Sequence, residues 1–228
     1  MMDDVTRLNE EKDIPFREYL TDEEIGLIKA NSNVVEHLDR ELIIHQNTRT
    51  SHILYLKSGL VKIYREGKHR RSFMLKIATP GEFLGIMSVY GSNLNQYSAA
   101  SLNKTEVVYI DVAIFDRVIR QNHALAFQLL KMLSRDGLYI FDRWLAQSHK
   151  QLPGRIADVI LYFAEVIYKS EEFVFPLTRR ELAELAGTTK ESFIRTLGEF
   201  RNDKIIGLDG SKVKINSMKI VKTLSELG

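Results

Sequence analysis

Cysteine is absent from all 228 residues. That one absence excludes disulfides, thiol catalysis, Cys-ligated zinc and iron–sulfur clusters. Proline is scarce, at four, while 44% of residues are hydrophobic and 27% charged. Such a chain can bury a core and does not have the composition of a disordered segment. No apolar run approaches the roughly 20 residues of a membrane span. The opening stretch, MMDDVTRLNEEKD, is acidic and polar, unlike a signal peptide. A cytoplasmic protein is expected. Catalytic signatures are missing as well: there is no G-x-S-x-G, no glycine-rich phosphate loop and no H-E-x-x-H. Acid pairs such as Asp3-Asp4, Glu23-Glu24 and Glu171-Glu172 sit in polar runs and read as solvated charge. The histidines at 37, 45, 52, 69, 123 and 149 show no ligand spacing, so neither metal nor haem is expected. An enzyme is not expected.

Net charge is only +2, but it is unevenly spread. Between Thr178 and Lys222 stand ten Lys and Arg against six Asp and Glu. A small module with a positive excess suits a phosphate-rich partner.

Residues 14–36 read as helical, with a T-x-x-E capping box at Thr21 and Glu24. From about 37 to 111, short runs rich in Ile, Val, Tyr and Leu recur between turn residues such as Glu66-Gly67 and Pro80-Gly81. That density points to an antiparallel roll or sandwich. From His123 to about Lys150 the period becomes helical without a proline. A helix of about 28 residues spans about 42 Å, too long for one small β domain to cover. Phe127, Leu130, Leu133, Gly137, Ile140, Phe141 and Trp144 form a row spaced mostly by three and four, which fits a two-fold dimer seam. Gln151-Leu152-Pro153-Gly154 interrupts the pattern and marks a boundary and hinge. The expected organisation is an α+β chain. An N-terminal jelly-roll-like sensor (1–122) is followed by a dimerisation helix (123–150) and a C-terminal winged helix-turn-helix domain (151–228).

The third part carries the chemistry. In LTRRELAELAGTTKESFIRTLGEF, Thr178 and Glu181 form one capping box and Thr188 and Glu191 a second. Gly187 stands where a C′ residue of positive φ belongs. Phe193, Ile194, Leu197 and Phe200 read as the inward face of the second helix. Two short helices joined by a tight glycine turn form a helix-turn-helix, whose second helix enters the major groove. Lys190 and Arg195 can donate to guanine O6 and N7, and Glu191 can accept from cytosine N4. Thr178, Arg179, Thr189 and Ser192 stand near helix N-termini, where phosphates bind. A hairpin with Asp209-Gly210 at its tip supplies a wing whose Lys212 and Lys214 reach the DNA backbone.

These motifs resemble the Crp–Fnr superfamily of bacterial regulators over nearly the whole chain. LPGRIADVILYFA looks like the family's first DNA-domain helix, LTRRELAELAGTTKESFIRTL like its helix-turn-helix, and ILYLKSGLVKIY with ATPGEFLG like its cyclic-nucleotide-binding β-roll. The resemblance implies a homodimer on double-stranded DNA, with RNA polymerase as a further partner. It implies base-reading roles for Lys190, Glu191 and Arg195 and phosphate contacts for Thr178 and Arg179. At the sensor end this chain departs from the nucleotide-binding members. Where they resemble G-E-L/I followed by R-S/T-A, Gly85-Ile86-Met87 and Asn95-Gln96-Tyr97 stand here, without the Glu and Arg that hold ribose and phosphate. The long-helix positions that meet the base fall near Ile140 and Phe141. Cyclic AMP is therefore not expected to bind, since a buried phosphate without its Arg is an uncompensated anion. The cavity, with Phe83, Ile86, Met87 and Tyr97 about it, is either filled by its own side chains or takes an unidentified apolar or aromatic small molecule. The alternative to a DNA-reading regulator is an interaction module that keeps a winged helix without using it on DNA.

Overall fold

The computed structural model describes residues 6–7, 14–67 and 72–228. Apart from a two-residue strand, β1 (Thr6–Arg7), the acidic opening stretch lies outside the described residues, as does His69. The chain divides into two compact units, residues 1–70 with 75–138 and residues 71–74 with 139–228.

In the first unit, a 3₁₀ turn at Arg17–Tyr19 leads to α1 (Asp22–Ala30). The T-x-x-E pattern marks its start. Glu24 N donates to Thr21 Oγ1 at 3.3 Å, and Thr21 N donates to Glu24 Oε2 at 2.8 Å. The helix does not run to residue 36. Asn31 closes it, donating Nδ2 to Leu27 O at 2.8 Å, and Ser32–His37 is a strand, β2. The β-branched pair Val34-Val35 fits a pleated surface better than a helix, and β2 pairs antiparallel with β9 (Thr105–Asp111). The other strands are β3 (Leu42–Ile44), β4 (His52–Ser58), β5 (Val61–Glu66), β6 (Ser72–Ala78), β7 (Phe83–Leu84) and β8 (Ser98–Ser101). They form two sheets, ordered β1-β2-β9-β4-β7 and β3-β8-β5-β6.

Strands β4 and β9 are buried on both faces, as their unbroken apolar runs require. Leu54, Leu56 and Val107 point into the roll with Val61, Ile63, Ala78, Leu84 and Ala99. Ile53, Val108 and Ile110 point the other way, into a second core closed by α1, α3 (Val112–Gln121) and the start of α4 (His123–His149). The short α2 (Ile86–Gly91) follows β7.

Of the 27 residues of α4, only Leu125 and Leu129 are fully buried. Met132 and Leu133 pack against the second core. Leu133, expected in the seam, is thus half-buried against its own core. The exposed apolar stripe runs through Phe127, Leu130, Phe141 and Trp144, each more than half exposed. Ser134, Gly137 and Ser148 complete its alternating steps of three and four. Ile140 is also exposed, beside that stripe.

In the second unit, α4 ends at His149 and α5 (Leu152–Leu161) begins only three residues later. The expected break at 151–154 is instead the first turn of α5. Pro153 stands where a missing N–H costs nothing. Gly154 is a close-approach site, because a Cβ there would lie 2.7 Å from Gly228 Cα. The connection is Lys150-Gln151, tied by Arg155 Nη1 donating to Lys150 O at 2.8 Å and by Lys150 Nζ on Asp158 Oδ1 at 2.7 Å. α5 continues through a π-helical segment, Tyr162–Ile167, to β10 (Glu172–Val174). Then come α6 (Arg179–Leu185), α7 (Lys190–Asn202), β11 (Ile206–Asp209), β12 (Lys212–Ile215) and α8 (Met218–Leu227). The three strands form a small sheet ordered β10-β12-β11. Among the described residues, no helix is long and apolar enough to cross a membrane.

Candidate DNA interface and effector pocket

α6 opens on the expected capping box. Thr178 N donates to Glu181 Oε2 at 2.7 Å and Glu181 N donates to Thr178 Oγ1 at 3.3 Å. Gly187, with φ 63°, makes the turn, and Thr188 N donates to Ala183 O at 2.9 Å. The second cap differs from expectation by one residue. Thr189, not Thr188, is the N-cap of α7, and its Oγ1 accepts from Ser192 N at 3.2 Å. Thr188 is used in closing the turn behind it. Glu191 is left with an exposed carboxylate that caps nothing.

The buried face of α7 is Phe193, Thr196, Leu197 and Phe200, spaced i, i+3, i+4, i+7. Ile194, expected inside, lies one step round the helix and is 45% exposed. It stands with Lys190, Glu191 and Arg195 on the outer face. Pattern reading favoured the apolar Ile194 over the polar Thr196; helical spacing decides for Thr196. Among the described residues, Lys190 and Glu191 enter no ion pair. Arg195 Nε lies 3.9 Å from Glu199 Oε1, one turn on.

Arg179 departs further. Its guanidinium lies over the Phe175 ring, 5.7 Å from the centroid, and Nη2 donates to Gly210 O at the wing tip. Nη1 is buried without an acceptor. Burial depresses its pKa from the ordinary arginine value. Arg179 straps the wing and does not stand free for phosphate. In the wing, Asp209 pairs with Lys212, so the loop is Gly210-Ser211, one residue beyond the expected tip. Lys214 is taken by Glu172 at 2.5 Å, which raises the Lys214 pKa and lowers that of Glu172. Lys212 is exposed and enters no ion pair among the described residues.

The sensor residues separate along β7. Adjacent strand residues point to opposite faces. Leu84 lines the roll, whereas Phe83 and Ile86 pack among Phe16, Tyr55 and Phe115 in the second core. Phe83 and Ile86 therefore leave the expected cavity, and Met87, 53% exposed, points to solvent. Ile140 and Phe141 are likewise exposed. Asn95 is buried and pins its loop, donating Nδ2 to Thr48 Oγ1 at 3.1 Å, with Oδ1 unsatisfied. Gln96 Nε2 bonds Ser92 Oγ at 3.0 Å. Tyr97 is the one of the three that packs against the roll core. Its hydroxyl accepts from Gly85 N at 2.7 Å, and burial pushes its pKa up.

Beside it lies a small ion network that pattern reading did not single out. Lys76 Nζ contacts Glu82 Oε2 and, at 2.9 Å, Asp136 Oδ1 on α4. Burial alone would lower the Lys76 pKa, but the two carboxylates outweigh it and raise the value. Among the described residues, no cluster could hold a metal ion.

The family model of the cyclic nucleotide-binding domain matches residues 34–122, and that of the Crp-like helix-turn-helix domain matches residues 154–222. A CRP-like cAMP-activated global transcriptional regulator of Mycobacterium tuberculosis is 26% identical over 163 residues, covering 70% of this chain and 73% of that one. The cAMP-activated global transcriptional regulator CRP of Salmonella typhimurium is 20% identical over 200 residues, covering 86% and 95%. In fold, the chain is similar to a Crp/Fnr-family regulator of Eubacterium rectale, with a TM-score of 0.79, 18% identity, and 95% and 100% coverage. It is also similar to FixK2 of Bradyrhizobium japonicum, with a TM-score of 0.76, 17% identity, and 85% and 96% coverage. Both domain matches fall in the order that the roll and the winged helix take along the chain, and the relatives are regulators, not enzymes. The chain belongs to the Crp/Fnr family of DNA-binding transcription regulators.

Proposed function

We propose that this regulator works as a homodimer reading a two-fold symmetric operator through α7, and that its roll does not hold the phosphate of a cyclic nucleotide. The observation that carries the DNA reading is the outer face of α7, where Lys190, Glu191, Ile194 and Arg195 stand together. Lys190 and Arg195 donate to guanine, Glu191 accepts from cytosine, and Ile194 meets a thymine methyl group. Thr178, Thr189, Ser192 and Lys212 position the backbone. Arg179 acts indirectly, by fixing the wing that carries Lys212. The apolar stripe from Phe127 to Trp144, with its alternating steps of three and four, is the seam. RNA polymerase is the further partner in this reading, and the cytoplasm is its place of action.

For the sensor, the supporting observation is Tyr97. Its hydroxyl takes the Gly85 amide, the kind of donor that an anion at this turn would need. Glu82, Asp136 and Lys76 together leave one net negative charge beside it. A phosphate there meets a filled donor and a lysine already held by two carboxylates. A domain of this kind implies a small-molecule effector; by this reading it is not cyclic AMP and brings no cofactor. Isothermal titration of cyclic AMP into the purified protein, with operator affinity measured alongside, tests this. Absence of saturable heat and an unchanged operator affinity are expected. Saturable uptake that alters operator affinity would overturn the reading of Tyr97.

A further inference from the structure

The C-terminal unit contains a cavity of about 500 Å³, lined by the last turns of α4, by α5 and its continuation, and by the end of α6. This is within the size range of small-molecule sites. Its walls are largely apolar: Tyr139 and Ala146 from α4, Val159 and Tyr162 from the α5 segment, Leu185 and Ala186 from α6. The Tyr139 and Tyr162 rings lie 6.0 Å apart and form an aromatic wall. The polar lining is specific. Lys150 is neutralised by both oxygens of Asp158, at 2.7 and 2.9 Å. Arg155 donates Nε to Ala186 O at 3.0 Å and Nη1 to Lys150 O at 2.8 Å. Its Nη2 has no acceptor among the described residues. With Arg143 and Asp142 the lining carries three cationic and two anionic side chains, an excess of one positive charge.

We propose that this cavity is an effector site for an aromatic carboxylate of about two fused rings. The rings lie against Tyr139, Val159 and Tyr162, and the carboxylate takes the Arg155 guanidinium. Resting on the reading of α7 as the DNA-reading helix, the site also has a route to regulation. Arg155 already holds the carbonyl of Ala186, one residue before the turn glycine, and the Gln147 side chain lies 3.1 Å from where a Cβ on Gly187 would be. A molecule wedged between α4 and the end of α6 acts on two contacts that adjoin the helix-turn-helix turn.

The test uses the full chain and 2-naphthylacetate as probe. Trp144, the single tryptophan, is not among the lining residues, so binding is read by isothermal titration. Saturable binding of one probe per chain is expected, with a Kd on the order of 100 µM. The neutral 2-naphthylacetamide should bind roughly tenfold more weakly. Operator affinity should shift about fivefold or more on probe binding. Ala146→Trp fills the cavity and should abolish probe binding while operator binding without probe persists. Should that variant not fold, amide shifts of the wild type decide: Ala146, Val159 and Leu185 should move with probe, while Ala99 and Val107 in the roll stay still. Overturning results are no saturable uptake (as when a second copy fills the cavity), equal binding of acid and amide, or shifts confined to the roll. Operator titration without probe is read separately; its failure counts against α7 and leaves the cavity result standing.

Discussion

Thr189 decides what Glu191 is free to do. Because Thr189 caps α7 with its own hydroxyl, Glu191 is not needed as a cap and adds only a first-turn charge. Glu191→Gln should leave thermal stability within about 0.5 kcal/mol of the parent. It should cost about 1–3 kcal/mol of discrimination at one base pair. Melting curves beside a panel of operator variants check both. Thr189→Ala should show the reverse, about 1 kcal/mol of stability lost with base preference unchanged. Arg195→Ala should weaken binding by about 1–3 kcal/mol and relax one position; equal weakening on every sequence would mark a phosphate contact instead. Far from the DNA, the backbone N–H of Leu38 donates to Glu41 at 2.8 Å, and this bond with the neighbouring His37 holds the Glu41 carboxyl below its ordinary pKa. Its stabilising effect is fully present above the usual carboxylate value and is lost as pH falls through the lowered one. Glu41→Gln should therefore remove part of the acid-side slope of stability and leave the neutral range flat; urea titrations from pH 3 to 7 measure this.

At the scale of elements, α4 has two duties on two faces. Leu133 faces the roll core and Phe141 faces out. Leu133→Ala should lower stability by about 1–2 kcal/mol without changing mass in solution. Phe141→Asp should leave the roll folded and split the dimer, as sedimentation would show. Equal effects of both on mass would mean that the seam takes in Leu133 after all. The sequence displayed the helix and its apolar row, but the row is wider than one seam. Which of its members faces home depends on the roll behind it, and periodicity alone does not contain that. The same holds for β7. That Phe83-Leu84 forms a strand is legible, whereas the choice of Leu84 for the roll interior and Phe83 for the helical side depends on register against β4. The helix-turn-helix was far more legible, because caps and turn glycines are local chemistry. What differs there is local too: two adjacent threonines compete for one cap, and helical spacing buries Thr196 in place of the more apolar Ile194.

For the whole molecule, the two units carry different kinds of information. The order of roll, long helix and winged helix is readable from composition and caps, and the domain matches agree with it. What the roll senses is not readable from the residue types that are missing. It turns on where Tyr97 sends its hydroxyl and on which acids gather around Lys76, both products of distant segments meeting. Selecting DNA from a random pool with the purified chain, and titrating the selected site against salt, shows whether paired α7 helices of a dimer read a symmetric site. An inverted repeat with half-sites about one helical turn, ~34 Å, apart is expected, with a steep fall of affinity with salt. Enrichment of a single unrepeated site, or binding indifferent to salt, would contradict it.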